Sequence, residues 1–263
     1  MKFYPLFSIL LFSPSLAFAL NPPIDDNFAR LKFNNPDGYA ILTQMSDLKV
    51  FNFFTEPDGI NASIYTLDTG IHESLHELDS ELKKTECSAS YYLMNGKIVD
   101  APQIKTFYRS EVLNLLNDEE KKDGYVSSYL SETGNQGLEV LLDELNAYAH
   151  GANTVIDLSE NEKNKNPINP GLMAIMFFTE KYLALASNNH PDIYSILKNT
   201  PYRKTIDLLW SQAESVVSRA CSSKYAYIYP NDRPRINKIY NDNSRHSFEK
   251  FLGHSLRIPV DCK

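Results

Sequence analysis

Between Thr69 and Lys84 the apolar residues Ile71, Leu75, Leu78 and Leu82 recur at spacings of three and four, which predicts a helix with one buried stripe. His72 and His76 sit next to Ile71 and Leu75, and at about 100° per residue they fall on the same side of the helix as the stripe. A chain that buries this face carries two imidazoles inward with it. Inward imidazoles need partners, and a shared cation satisfies two neighbouring rings more readily than separate hydrogen bonds do.

The run His72-Glu73-Ser74-Leu75-His76 has the spacing this chemistry needs. Histidines at i and i+4 leave one helical face together and can bind one Zn²⁺, while the glutamate between them stays beside the metal to take a proton from water. A catalytic zinc has three protein ligands and one open position, so a third ligand is expected from another helix. Asp79 and Glu81 lie too close to His76 on the same helix to fold back. In Leu142-Asp143-Glu144-Leu145-Asn146-Ala147-Tyr148-Ala149-His150 an acid stands in an otherwise apolar helix, and Glu144 is the expected third ligand, with His150 as its competitor. Tyr148, His150 and Arg109 are candidate donors to a developing oxyanion.

The pattern of the chain changes near its middle. Tyr39–Leu42, Val50–Phe54 and Ala62–Leu67 are short runs rich in Tyr, Ile, Val and Phe and are expected as strands. Residues 91–94 and 97–99 flank Asn95-Gly96, which predicts a hairpin with a two-residue turn. Helical periodicity returns at Ser110–Lys121 and Gln136–Ala152, and later over Leu172–Ala186, Tyr202–Ala220 and Pro234–Leu252. Between them, Ser159–Gly171 is rich in Asn and Pro and reads as an exposed linker, its centre at 161–170. The expected fold class is therefore α+β: a first lobe with a small mixed or antiparallel sheet and the site-bearing helix over 20–160, then a mainly helical lobe over 171–263.

Met1–Ala19 has one early base, Lys2, an apolar stretch at Leu6–Phe12 and the small-residue ending Ala17-Phe18-Ala19, the pattern of a cleaved export signal. Pro5, Pro14 and several serines keep it short of the roughly 20 apolar residues a membrane span needs. Nothing later is apolar enough to insert stably in a membrane, so the mature chain is expected to be soluble, secreted or periplasmic. Without Lys2 it has 25 Lys and Arg against 33 Asp and Glu, a formal charge of −8, which argues against nucleic acid as a partner. With 43% hydrophobic residues the chain can bury a substantial core. Of the three cysteines, Cys221 and Cys262 are the favoured disulfide pair over either with Cys87, because that bridge ties down the C-terminal tail.

On Thr69–Leu78 and Glu144–Tyr148 the sequence resembles the gluzincin metallopeptidases, the zincin branch in which two histidines of one helix and a glutamate of a later helix hold zinc. The resemblance implies a zincin-like first lobe, His72, His76 and Glu144 as ligands, Glu73 as general base, and a peptide or protein substrate paired along the strand ending near Leu67. In several such families the third ligand begins a Glu-x-x-Ala-Asp pattern. Here Tyr148 stands where the aspartate would, and the charged Glu77 follows the second histidine, where an uncharged residue is usual. Neither a Gly-x-Ser-x-Gly elbow nor a Gly-rich phosphate loop occurs. The competing expectations are an exported binding protein with a structural metal and no catalysis, and a zinc amidase acting on a cell-wall bond.

Overall fold

A computed structural model of the chain describes residues 24–85, 88–256 and 258–262. The expected export signal and Cys87 lie outside the described residues. The chain opens with helix α1 (Ile24–Asn34); of the three expected strands, Tyr39–Leu42 lies in helix α2 (Pro36–Gln44), Val50–Phe54 in α3 (Lys49–Thr55), and Ala62–Leu67 runs into α4 (Ile64–Glu81). The start signals of α2 are in the sequence: Asn35 is the N-cap, its side-chain oxygen accepting from the Gly38 N–H, and Pro36 follows at the first helical position. Ser63 caps α4 in the same way through the Thr66 N–H. Packing then overrides the strand propensity of the aromatic run. Phe51 of α3 is buried on α4, and a Cβ at Gly70 would lie 3.0 Å from its ring, so the glycine sets how close the two helices come.

The hairpin forms as β1 (Ser88–Tyr92) and β2 (Ile98–Pro102), antiparallel, with Tyr92 opposite Ile98. Its loop is one residue longer than expected. The Leu93 N–H donates to the Lys97 carbonyl, leaving Met94-Asn95-Gly96 as the connection, and only Gly96 of these takes a positive φ, 75°. Ser110–Lys121 is not an α-helix but two 3₁₀ segments, Arg109–Leu115 and Glu120–Lys122. Between them the Asn117 side chain accepts from the Glu119 and Glu120 N–H groups and starts a new turn. A single turn, α5 (Gly124–Val126), leads into a π-helical turn over Ser127–Glu132.

Helix α6 (Leu138–Glu162) is the axis of the fold and runs ten residues past the expected end. It packs against α4 on one side and against α7 (Gly171–Asn189) and α9 (Pro201–Ser222) on others, with α8 (Pro191–Asn199) between those two in the chain. It therefore absorbs the start of the expected linker: Ser159 is buried and helical, and the helix closes at Lys163 in the left-handed conformation. The rest of that segment is also anchored. Asn166–Pro167 forms β3, parallel to β4 (Ala226–Tyr227), and Ile168 is buried. The last expected helix is two, α10 (Arg233–Asn241) and α11 (Ser244–Leu252), because Asp242 turns extended and its carboxylate accepts from the Ser244 N–H and from Lys181.

The molecule is thus mostly helical with a small antiparallel sheet, and one apolar cluster takes residues from both expected lobes, from Leu31 and Leu75 through Leu145 to Trp210 and Phe248. Cys221 and Cys262 are joined, as the sequence favoured, fastening the C-terminus to the end of α9. No helix among the described residues is long and apolar enough to cross a membrane.

Candidate metal centre

Helices α4 and α6 lie antiparallel, so that Asp68 meets Gly151, His72 meets Glu144 and Tyr148, and His76 meets Asp143. The ligand atoms expected from sequence converge there. Nε2 of His72 and Nε2 of His76 are 3.2 Å apart, and Oε2 of Glu144 is 3.5 Å from the first and 3.8 Å from the second. Tetrahedral zinc with bonds near 2.0–2.1 Å separates its ligand atoms by about 3.3 Å, so the donor set fits such an ion in both chemistry and spacing. It is the one group of three ligand atoms from His, Cys, Asp or Glu within 4.8 Å of one another among the described residues. The side chains of His72, His76 and Glu144 keep 10%, 22% and 17% exposure.

The ring orientations are fixed from behind. Asp143 Oδ2 is 2.8 Å from Nδ1 of His76, which places the proton on Nδ1 and turns Nε2 to the shared point. Burial works against a charged ring, yet Asp143, Glu144 and Glu73 outweigh it and push His76 up to about 10. Burial also opposes the charge of Glu144, but His72 and His76 beside it, with the Tyr129 hydroxyl, hold its carboxyl below the usual range. Asp68, one turn before His72 and buried, is pushed up to about 6 by burial, with His72 and Asn169 acting against the rise. The close approach of α6 here depends on Gly151, where a Cβ would meet Asp68 Oδ1 at 2.2 Å.

Two tyrosines close the group. The Tyr129 hydroxyl donates to Glu144 Oε2 at 3.2 Å and stands 2.8 Å from the Tyr148 hydroxyl, so Tyr148 donates to Tyr129 in turn. Burial, with Glu144 nearby, raises both hydroxyls far above their ordinary range and keeps them as donors. The ring of Tyr148 packs edge-on to His72, centroids 4.4 Å apart, and Gly171 makes room for it: a Cβ there would meet Tyr148 Cε1 at 2.2 Å.

Glu73 is half-buried between the histidines, and its charge acts on His76. It makes no hydrogen bond or ion pair among the described residues. His150 is not at the centre. Its side chain is fully buried on another face of α6, Nδ1 2.7 Å from Asp37 and Nε2 3.1 Å from the Tyr92 carbonyl, so both nitrogens already serve the fold. One turn away Asn146 reaches the same carbonyl and Asp79, each at 3.0 Å. Arg109 is likewise buried behind Tyr129, bonded through Nη2 to the Thr133 carbonyl and to Gln136.

Sequence reasoning missed Asp143, Tyr129 and Asp68. Asp68 carries a signal, since Asp68, His72 and His76 repeat at four. Asp143 stands next to Glu144, but its contact is set by the register of α4 on α6, which no spacing encodes. Tyr129 comes from the π-helical turn, a geometry common at functional sites and without a sequence period.

No family model, no curated protein and no solved structure matches this chain.

Proposed function

We propose that the protein is an exported zinc-dependent metallopeptidase that hydrolyses peptide bonds of a peptide or protein substrate, with His72, His76 and Glu144 holding the metal. The observation that carries this reading is the convergence of two imidazole nitrogens and one carboxylate oxygen at zinc spacing, with an unengaged glutamate between the histidines. Zinc bound there supplies Lewis acidity, polarising a carbonyl and lowering the pKa of water towards about 7.

The chain's own groups do the rest. Glu73 takes the proton of the attacking water as its oxygen bonds to the scissile carbon, then hands that proton to the leaving amine as the C–N bond breaks. Asp143 keeps the His76 proton on Nδ1 throughout. The hydroxyl of Tyr148 turns its proton from Tyr129 to the oxygen that gains negative charge, while Tyr129 keeps its own proton on Glu144. His150 and Arg109 take no part, being held elsewhere. No strand precedes α4 among the described residues, so the substrate is not bound along a strand ending at Leu67.

The test is metal content per chain in the mature protein, compared with Glu144→Ala and His76→Ala prepared identically. Close to one zinc in the wild type and strongly reduced zinc in both variants is expected, followed by peptide hydrolysis that Glu73→Gln abolishes. A wild type that takes up no zinc when supplied with it overturns the reading.

A further inference from the structure

Beside the metal centre, where α4, β1 and the start of α6 meet, lies a cleft of about 120 Å³ walled by His76, Asp79, Tyr91, Ser90, Glu139 and Asp143, with the exposed Lys83 also on it. Its size is that of one long side chain, well below the roughly 300–1,000 Å³ of small-molecule pockets. Two polar atoms on its wall are buried and unpartnered: the hydroxyl of Tyr91, a residue 2% exposed, and Oε2 of Glu139. Such atoms carry a desolvation cost that a ligand can relieve.

The backbone of β1 adds a third feature. The bond from the Leu93 N–H to Lys97 sets the rhythm of the hairpin, so Tyr91 and Ala89 exchange hydrogen bonds with β2 while Tyr92 and Ser90 turn theirs outward. On that outer edge the Tyr92 groups are taken by Asp79, Asn146 and His150. The N–H and C=O of Ser90, a residue 1% exposed, face the same way and have no partner among the described residues.

The wall is acidic in a way that suits an organic cation. Asp79 is committed to the Tyr92 N–H and Asn146, whereas Asp143 uses only Oδ2, for His76, and Glu139 Oε2 is free. These carboxylates do not form a three-ligand metal group. An ammonium or guanidinium head, with several diverging N–H donors, reaches spaced acceptors that one metal ion cannot. Burial raises the Tyr91 hydroxyl above its ordinary range, and Tyr202, Asp143, Asp79 and Glu139 beside it add to the rise.

We propose that this cleft is a specificity subsite for a lysine or arginine side chain of the substrate, beside the bond cut at the metal centre. Glu139 and Asp143 take the cationic head, and the Tyr91 hydroxyl borders it. Lys83 offsets part of the Glu139 charge in the free protein and is displaced on binding. The position beside a scissile bond rests on the metallopeptidase reading; the affinity for a basic side chain does not.

The experiment is calorimetric binding of acetyl-Ala-Lys-Ala-amide and its norleucine counterpart to the mature Glu73→Gln protein, together with kcat/KM of the wild type on longer peptides differing only in that residue. The lysine peptide is expected to bind at least about tenfold more tightly, the worth of hydrogen bonds to a charged group. Glu139→Gln removes most of that preference with zinc content unchanged, and Lys83→Gln increases it. Equal binding of the two peptides, no binding of either, or a preference that survives Glu139→Gln overturns the proposal. Cleavage without basic preference leaves the metallopeptidase reading standing and the subsite refuted. A lysine preference in a protein that neither holds zinc nor cleaves does the reverse.

Discussion

The Asp143 carboxylate lies 2.8 Å from Nδ1 of His76, and it belongs to the residue directly before Glu144. One step of α6 therefore supplies both a proposed ligand and the group that aims another. In Asp143→Asn the hydrogen bond can persist but the charge is gone, and zinc affinity is expected to fall by about 10- to 100-fold. Competition with a chelator of known affinity measures this, and an unchanged far-ultraviolet spectrum separates it from misfolding. An affinity equal to wild type would mean that His76 is oriented by packing alone.

The same pair makes the metal-free protein sensitive to alkali. Because His76 is held at about 10 in the folded chain against 6.5 in the unfolded one, its contribution is fully present below about pH 6.5 and is lost as pH rises towards 10. The melting temperature of the metal-free protein should fall across that window, and His76→Gln should flatten the fall. Zinc must displace the Nε2 proton, so binding releases a proton over the same range, which calorimetry in buffers of different ionisation enthalpy detects.

The hydroxyl and the ring of Tyr148 can be tested apart. Tyr148→Phe keeps the ring on His72 and removes only the donor, so zinc content should persist while kcat drops by about 10²-fold or more. Gly171→Ala instead pushes a methyl group into the ring and should cost about 1–3 kcal/mol of stability, read from denaturant midpoints. A Tyr148→Phe enzyme as fast as wild type would remove this residue from the mechanism.

The His72-His76-Glu144 cluster was legible because its information is local. His72 and His76 share a helix, and Glu144 was an acid out of place in an apolar one. The helices carrying them were legible for the same reason, a period sustained over many residues. The strand expectation at Tyr39–Leu42 and Val50–Phe54 failed because a run of four or five apolar residues has no period long enough to tell strand from helix, and the Asn35-Pro36 start signal was the better guide. His150 was misplaced by two residues' rotation: it follows Tyr148 on α6, and about 200° of helix separates their faces. What remained hidden, Asp143 against His76 and Tyr129 against Glu144, depends on how one element sits on another.

The bridge between Cys221 and Cys262 closes a loop with a sequence separation of 41. Chain entropy alone makes that worth about 4 kcal/mol. Reduction, or Cys262→Ser, should lower the denaturation midpoint accordingly and loosen the C-terminal residues first, visible as faster amide exchange after Leu256. Zinc content is expected to be unaffected, since the bridge joins α9 to the tail and touches neither α4 nor α6.

Helix α6 is pinned on two faces at once. Asp143, Glu144 and Tyr148 look towards the histidines, while Asn146 and His150 grip the Tyr92 carbonyl and, beyond it, Asp79 and Asp37. A screw rotation of α6 that widened the gap between Glu144 and His72 would tear all of those bonds together. The group therefore has no cheap half-open position: the five residues of α6 lock or release as a single unit.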